Sequence, residues 1–293
     1  MARLILLISS LFLWGSIAFS QNSGNDSLTR NDLGFINYLI GKSQYDDAIY
    51  VLEKHILKPG LTPNTHDTLN HLLGWSYYSV KKLDASSAAF DKVSRSSASY
   101  LKARFFSSYN QTFLGNYSRS AAMLDSLELP EPWQKELQGF QMAGISLLKR
   151  DTAAFRKYAG SFTNEFYSLA TEEQSFRDYS TKISQFRKKS NWKAAVISAV
   201  IPGLGKVYAR KLGEGISSFI IVTALGAVAF ENYRKDGLTD VKTLFFGTMF
   251  GIYYVGNIWG SAIAAQRHNN QFYYEINQKV LLDLHIPLRT IFN

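Results

Sequence analysis

The sequence predicts an all-α protein, with a solenoid of helical hairpins followed by a C-terminal transmembrane helical hairpin. Three observations lead to this prediction. Residues 30–190 contain few prolines and place aromatic and aliphatic side chains at helical spacing. Residues 192–265 are far more apolar. They include an uncharged run, Thr243–Ala265, which as a helix would measure about 34 Å against a hydrocarbon layer of about 30 Å.

The first twenty residues have the features of a secretory signal peptide. Arg3 is followed by the short apolar run Leu4–Trp14, and Ala18 and Ser20 are small residues at positions −3 and −1 of a cleavage site. An uncleaved anchor is the alternative, but the apolar run is short and a good cleavage site follows it. We therefore expect residues 1–20 to be removed and the remainder to be exported.

The chain has no cysteine and a formal net charge of +9 at pH 7. The missing thiols exclude a disulfide framework, a cysteine nucleophile and thiolate metal sites. Much of the basic excess clusters beside the predicted membrane segment, at Arg187, Lys188, Lys189, Lys193, Lys206, Arg210 and Lys211. In an exported chain such a cluster favours anionic lipid head groups, and not nucleic acid, as its partner.

The clearest internal repeat unit begins at Leu73-Gly74, continues to Tyr77 and ends with Phe90. It resembles the tetratricopeptide repeat, in which a large and a small residue open helix A and an alanine and an aromatic residue mark helix B. The small helix-B position recurs at Ala48, Ser86, Ser120 and Ala154, at intervals of 38, 34 and 34 residues. Two of these intervals match the period of about 34 residues that the family has.

Each repeat requires a small residue where two helices approach and a bulky one that fills the gap to the next hairpin. The residues that we predict to have these packing roles are Ala48, Leu73, Gly74, Tyr77, Phe90, Tyr117 and Ala154. A plain helical bundle with accidental spacing is the alternative. Stacked hairpins of this family leave a concave face free, so we expect residues 30–190 to bind a protein or peptide partner there.

The apolar part of the chain carries a second resemblance. Its residues are Pro202, Gly203, Gly205, Tyr208, Gly256, Asn257 and Gly260. They look like the proline-glycine-x-glycine-x-x-tyrosine motif of small membrane-hairpin domains of unknown function in bacterial envelope proteins. The resemblance covers residues 192–266 and implies a membrane module without implying a particular activity. Lys206 stands where many such domains would have glutamine.

The residues of this motif also have a direct physical interpretation. Pro202 disfavours a helix before it, and the glycines at 203 and 205 permit tight backbone geometry. The apolar segment Ala194–Gly205 is therefore too short and too broken for a clean span. We interpret it as a re-entrant or short interfacial helix, and a third, proline-kinked span is the alternative.

Two spans are predicted after this segment. The first extends from Leu212 to Tyr233 around the uncharged run Ile216–Phe230, and the second is Thr243–Ala265. The loop between them is short and rich in turn residues. It therefore implies that the two helices form an antiparallel hairpin.

The second of these helices contains small residues at helical spacing. Gly247 and Gly251 lie on roughly the opposite face from Gly256 and Gly260, so that one face is free for self-association. Asn257 is a polar residue deep in the helix. We expect it to hydrogen-bond to a protein neighbour, because an unsatisfied amide is costly in lipid.

The sequence leaves the number of spans open. Two spans would leave the C-terminus on the exported side, and the basic cluster would then violate the positive-inside tendency. Three spans would place Arg210, Lys211 and the C-terminus in the cytoplasm. The tail, residues 266–293, has apolar residues at four-residue spacing, which predicts an amphipathic helix along the membrane interface that ends in an extended segment, 286–292.

No nucleophile, phosphate-binding or zinc motif is present, and the five histidines are scattered, so we expect no cofactor, no metal and no enzymatic activity. The main hypothesis is an exported scaffold in the bacterial inner membrane. Its N-terminal domain would lie in the periplasm and bind its partner on the helical-repeat face. The alternative gives the membrane module its own role, in membrane-protein insertion or assembly or in the passage of a small solute.

Overall fold

The structure is a computed structural model that describes residues 30–163 and 165–292. Within these ranges the chain forms thirteen helices and no strand, so the all-α prediction is confirmed. The predicted signal peptide, residues 1–20, lies outside the described residues.

Nine helices precede the apolar part of the chain. They are α1 (Arg30–Gly41), α2 (Tyr45–Ile56), α3 (Pro63–Ser79), α4 (Leu83–Phe90), α5 (Tyr100–Phe113), α6 (Tyr117–Asp125), α7 (Pro132–Lys149), α8 (Thr152–Ala159) and α9 (Tyr167–Gln185). Four more complete the described residues: α10 (Asn191–Val200), α11 (Leu204–Tyr208), α12 (Leu212–Asp236) and α13 (Val241–Phe292). The connections are short, and most consecutive helices pack against each other.

The chain divides into two compact units, Met1–Ala103 and Arg104–Asn293. The predicted boundary near residue 190 is therefore not a boundary between units, and residues 104–190 belong with the apolar C-terminal part. The physical reason is the long helix α13, which packs against both α7 and α9 as well as against α10 and α12.

In the first unit, α2 packs on α1 and α3, and α3 packs on α4. Pro63 begins α3 behind the N-cap Thr62, whose hydroxyl accepts a hydrogen bond from the backbone N–H of Thr65. The predicted positions Ala48 and Leu73 are buried in the core of this unit. These helices are therefore joined by an apolar core formed by Ile36, Leu39, Ala48, Ile49, Leu52, Leu69, Leu73 and Ala89.

Helices α3 and α4 approach each other closely at Gly74 and Phe90. A Cβ added at Gly74 would lie 2.5 Å from the Phe90 ring, so the ring occupies the space that a larger residue would need. The Ser86 hydroxyl donates to the Gly74 carbonyl at 2.8 Å. Tyr77 is half-buried beside this contact. Small residues on both helices therefore let α3 and α4 lie close together.

In the second unit, α5 and α6 also meet through small polar residues. Ser120 is fully buried, and its hydroxyl is within 2.8 Å of the Ser108 hydroxyl and 2.7 Å of the Thr112 hydroxyl. Leu124, one turn later, is fully buried as well. Tyr117, at the start of α6, is half-buried.

The fourth predicted repeat position differs from the structure by one residue. Ala154 is only half-buried, whereas Phe155 and Ala159 are the buried residues of α8. Phe155 stacks edge-on against Phe162, which in turn contacts Phe140 of α7. The aromatic side chain buries more apolar surface than alanine would, so it takes the core position.

Helix α13 contains 52 residues and is about 78 Å long. Its C-terminal half packs against α7 and α9. The Gln141 side chain donates to the Leu284 carbonyl at 3.0 Å, and the Tyr179 hydroxyl donates to Asp283 at 2.9 Å. Gly144 leaves room for the Leu284 side chain, because a Cβ added at position 144 would lie only 2.5 Å from it.

This packing corrects the prediction for the tail. Residues 286–292 are helical and not extended, and Pro287 lies inside the helix. The apolar stripe of the tail does exist, but Val280, Leu284 and Leu288 are fully buried against protein. These buried positions therefore contact protein and cannot also face a membrane interface.

One helix of the described residues, α12, is long and apolar enough to cross a membrane. Only 11% of its most apolar window is buried. The run Thr243–Ala265, the longest uncharged segment among the predicted spans, lies inside α13 and does not reach the same mean hydropathy. Its glycines, tyrosines and Asn257 lower the average.

The docking of the tail can be tested by a disulfide, because the natural chain has no cysteine. We expect Gly144→Cys with Leu284→Cys to form an intramolecular disulfide in full-length protein, since the two side-chain positions are in contact. Mass spectrometry of tryptic peptides, with and without reductant, would detect the linked pair. Ala153→Cys with Leu284→Cys is the control, because Ala153 is exposed on α8. Absence of the first linkage in native membranes would contradict the packing.

Candidate functional site

The residues of the proline-glycine motif lie at a turn where α10 ends and α11 begins. Gly203 has a positive φ of 82°, and a Cβ there would overlap the carbonyl oxygen of Gly215 in α12. A Cβ at Gly205 would overlap the carbonyl oxygen of Ala194 in α10. Backbone therefore packs directly on backbone at both positions, and glycine is required at each.

Asn257 of α13 satisfies the backbone groups of this turn. Its Oδ1 accepts from the Gly203 N–H at 3.0 Å, and its Nδ2 donates to the Ser198 carbonyl at 3.3 Å. The Ser198 hydroxyl accepts from the Gly205 N–H at 2.8 Å and lies 2.6 Å from the Ser261 hydroxyl. We call these five residues the polar junction. All five are buried, so the hydrogen bonds replace water at the broken helix end.

Two tyrosines, one after α10 and one in α13, hydrogen-bond to the backbone at the two ends of α10. The Tyr208 hydroxyl accepts from the Ser190 N–H at 3.2 Å, and the Lys189 ammonium lies 4.6 Å from the Tyr208 ring. At the other end, the Tyr254 hydroxyl donates to the Ala199 carbonyl at 2.7 Å. Together with Pro202, which comes after Ile201 in an extended conformation, these contacts fix where α10 stops.

The predicted glycines of α13 have different surroundings. Gly247 and Gly251 have nothing within 4 Å of an added Cβ, so they do not form the contact with α12. That contact uses Gly226 of α12, where an added Cβ would lie 3.0 Å from the Phe250 ring. Self-association through the Gly247 face stays a prediction.

Lys206, which departs from the resembled motif, has a defined place in the structure. Its ammonium donates to the Ser218 hydroxyl at 2.7 Å, and its side chain passes near Gly260, where an added Cβ would be in ordinary van der Waals contact with it. The lysine lines a cleft of about 340 Å³ between α12 and α13. We call this the Lys206 cleft, and its lining residues are Lys206, Ser218, Ile221, Val222, Ile252, Tyr253, Gly256 and Asn257.

A group of basic side chains lies where α10, α11 and α13 meet the rest of the second unit. Burial, and then the positive charges of Arg210, Lys189 and Lys211, lower the pKa of His268. We call these four residues the basic collar. Asn269 holds it in place by pairing with both the N–H and the carbonyl of Lys189 at 2.8 Å each. The collar is a concentrated positive surface without a catalytic arrangement.

A separate cleft of about 460 Å³ lies in the first unit, between α2, α3 and α4. Its floor is apolar, with Leu73 and Ala89 buried and Leu57 83% exposed at its rim. The Tyr77 hydroxyl donates to Glu53 inside it, and burial followed by this hydrogen bond raises the pKa of Tyr77 to about 12. We call it the α2–α4 cleft. It can accept an apolar side chain beside polar groups.

No family model, curated protein or solved structure matches this chain. In residues 30–163 and 165–292, no group of three or more His, Asp or Glu side chains is placed to hold a metal ion. The candidate functional features are therefore the polar junction, the Lys206 cleft with the basic collar, and the α2–α4 cleft.

Several residues of these features carry no clear signal in the sequence. Ser198, Ser261 and Gly215 are single small residues in apolar stretches, where small residues are common. Their spacing relative to Asn257 becomes informative only once α10 is known to fold back against α13. A polar residue every three or four positions along one face of an otherwise apolar segment could have indicated them.

The polar junction can be tested with Asn257→Leu. Leucine has a similar volume but leaves the Gly203 N–H and the Ser198 carbonyl unsatisfied, so we expect a loss of about 2–4 kcal/mol in the free energy of unfolding. The measurement is thermal unfolding of full-length protein in detergent, followed by circular dichroism. Asn232→Leu on α12 is the control, because Asn232 bonds only within its own helix, to the Val228 carbonyl. Equal midpoints for the two variants would contradict the role of Asn257.

Proposed function

We propose that this chain is an exported, membrane-anchored helical scaffold that binds a protein or peptide partner at a bacterial inner membrane. The observation that carries the anchoring is the apolar surface of α10, α12 and the first half of α13. Trp192, Ile220, Phe230, Val255 and Trp259 are all more than half exposed there. Several large apolar side chains exposed on these three helices are unfavourable in water and would be covered by lipid tails in a membrane.

Two spans are supported over three. At 25 residues, α12 is about 38 Å long, whereas the 10 residues of α10 reach only about 15 Å, half of the length that a span requires. We therefore propose that α10, the turn and α11 form a re-entrant segment beside the hairpin of α12 and α13. Because α13 continues into the packing against α7 and α9, the C-terminus would lie on the same side as those helices.

The orientation that we propose is an N-terminal domain in the periplasm. The signal-peptide features at residues 1–20 favour export of the chain from residue 21 onward. The loop between α12 and α13 would then face the cytoplasm with Arg234, Lys235 and Lys242, whereas the larger basic cluster of residues 187–211 stays on the exported side, against the positive-inside tendency. The basic collar would face the outer leaflet, where anionic head groups balance its charge.

For the soluble part we propose a tetratricopeptide-like scaffold whose partner binds in the α2–α4 cleft. Support comes from the pairwise packing of successive helices and from the buried small residues Ala48, Ser86 and Ser120 at repeat spacing. The cleft combines apolar walls with Glu53 and Lys92. A peptide with one apolar side chain flanked by polar groups fits this chemistry.

A second candidate is favoured by the polar junction, since a plain anchor needs no buried network of amide and hydroxyl groups. In this candidate the membrane module itself assists membrane-protein insertion or assembly, or passes a small solute. Replacement of residues 192–265 by an unrelated hairpin that keeps α13 in phase would separate the two functions. Complementation of a deletion strain by this chimera supports the anchor, and failure despite retained partner binding supports the module.

Topology can be measured by labelling introduced cysteines in spheroplasts with a membrane-impermeant thiol reagent. We expect Ser184→Cys and Gln278→Cys to react before lysis and Leu238→Cys to react only after it, because the loop lies across the membrane from the other two. All three positions are exposed, and the natural chain adds no background thiol. Labelling of Gln278→Cys only after lysis would contradict the two-span arrangement.

Partner binding can be tested with a photo-crosslinking amino acid at Ala88, an exposed position in the α2–α4 cleft. We expect a discrete crosslinked species in living cells that is lost, at least tenfold, when Leu57→Asp introduces a charge at the apolar rim. The same probe at Ala153, exposed on α8, is the control. An identical crosslinking pattern from both positions would remove the cleft as the binding site.

A further inference from the structure

Lys206 directs its ammonium into the cleft between α12 and α13, which in the proposed anchoring is away from the aqueous side. Its partner, Ser218, lies six residues into α12, about 9 Å from the start of that helix. Lysines near membrane interfaces normally extend their ammonium groups toward water. The amine of Lys206 instead lies in the apolar part of the module, inside the Lys206 cleft.

The ammonium has no counter-ion within the described part of the chain. Its hydrogen-bond partner is the neutral hydroxyl of Ser218. The carboxylate of Glu214, one turn earlier on α12, lies 3.9 Å from Lys211. A charged group at this depth pairs with an opposite charge in most membrane proteins. Since residues 30–163 and 165–292 place no carboxylate there, we look for the anion outside these residues.

Apart from Asn257, the rest of the cleft is lined mainly by apolar groups, and in the proposed anchoring it opens toward lipid. Ile221, Ile252 and Tyr253 form its walls, and each is 44–58% exposed. Gly256 leaves its floor open, since nothing lies within 4 Å of an added Cβ. The shape is a groove with a cation at one end, which suits an amphiphile with an anionic head.

The basic collar adds positive charge next to the cation end of this groove. Arg210 and Lys211 come just after α11, the helix that carries Lys206. Burial, and then the nearby charges of Arg210, Lys189 and Lys211, lower the pKa of His268, so these basic groups lie near one another. Such a surface raises the local concentration of anionic lipids over zwitterionic ones.

We infer that the Lys206 cleft is a binding site for an anionic phospholipid of the surrounding bilayer. The phosphate accepts hydrogen bonds from the Lys206 ammonium and the Ser218 hydroxyl, and one acyl chain lies between Ile221 and Ile252. This inference rests on the proposed membrane anchoring. Free phosphate has the same head-group chemistry, but it makes no use of the apolar walls, so the lipid is the occupant to which the geometry points.

The test is native mass spectrometry of full-length protein in a neutral detergent, with phosphatidylglycerol or phosphatidylcholine added. We expect phosphatidylglycerol to be retained and Lys206→Gln to weaken its binding about tenfold, the effect of losing one charge-assisted hydrogen bond. Glutamine can still bond to Ser218, so the fold is kept. Lys193→Gln is the control, since Lys193 is an exposed lysine of α10 outside the cleft.

A second pair of variants probes the acyl-chain groove. Gly256→Leu fills the cleft and should abolish retention, whereas Gly247→Leu should keep it, although both positions have free space around a Cβ. Equal retention by Lys206→Gln and the natural protein, equal retention of both lipids, or full displacement by inorganic phosphate would each overturn the proposal. Failure of the proposed anchoring is recognised separately. In that case, alkaline extraction of membranes releases the protein into the supernatant.

Discussion

The structure of the C-terminal part depends on how backbone hydrogen bonds are satisfied where a helix is broken among apolar residues. The turn at Pro202-Gly203 leaves N–H and carbonyl groups that water would normally pair, and an unpaired buried group costs about 1–3 kcal/mol. Asn257 supplies one acceptor and one donor to this turn. Glycine is needed at positions 203 and 205 because the backbone of α12 lies directly against the first and the backbone of α10 against the second. Without this pairing, α10 and α11 would have no reason to fold back.

The return of α11 has consequences beyond the turn. It brings Tyr208 next to the start of α10 and directs Lys206 into the space between α12 and α13. Helix α13 then continues without a break from this space to its contacts with α7, where Gln141 and Gly144 receive Leu284. Helix α13 therefore belongs both to the packing around α7 and to the proposed membrane part. An event in the Lys206 cleft and an event at α7 act on the same helix.

Sequence patterns predict the features that depend on local properties and fail where a distant partner decides. Helices, the small positions Ala48, Ser86 and Ser120, and the glycine turn follow from periodicity and from backbone sterics, which are local properties. The predicted register of α8 is wrong by one residue because the position of Phe155 is set by contact with Phe162 and not by the repeat. The predicted place of the tail at the membrane interface is wrong because an amphipathic stripe looks the same whether lipid or α7 covers it. Ser198 and Ser261 cannot be recognised before the fold-back is known.

The lysine at position 206 is the residue that an inert anchor does not explain. A glutamine there, as the resembled motif would have it, could bond to Ser218 and would carry no charge. In a membrane helix a lysine costs about 2.5–3.5 kcal/mol at the bilayer centre and less nearer the interface, while one hydrogen bond to a neutral hydroxyl returns about 1 kcal/mol. The hydrogen bond to Ser218 therefore does not offset the cost of placing the lysine charge in the membrane. In the proposed membrane setting, an anion that enters the cleft removes this difference, and a lipid phosphate from the adjacent head-group region is the anion that the bilayer supplies.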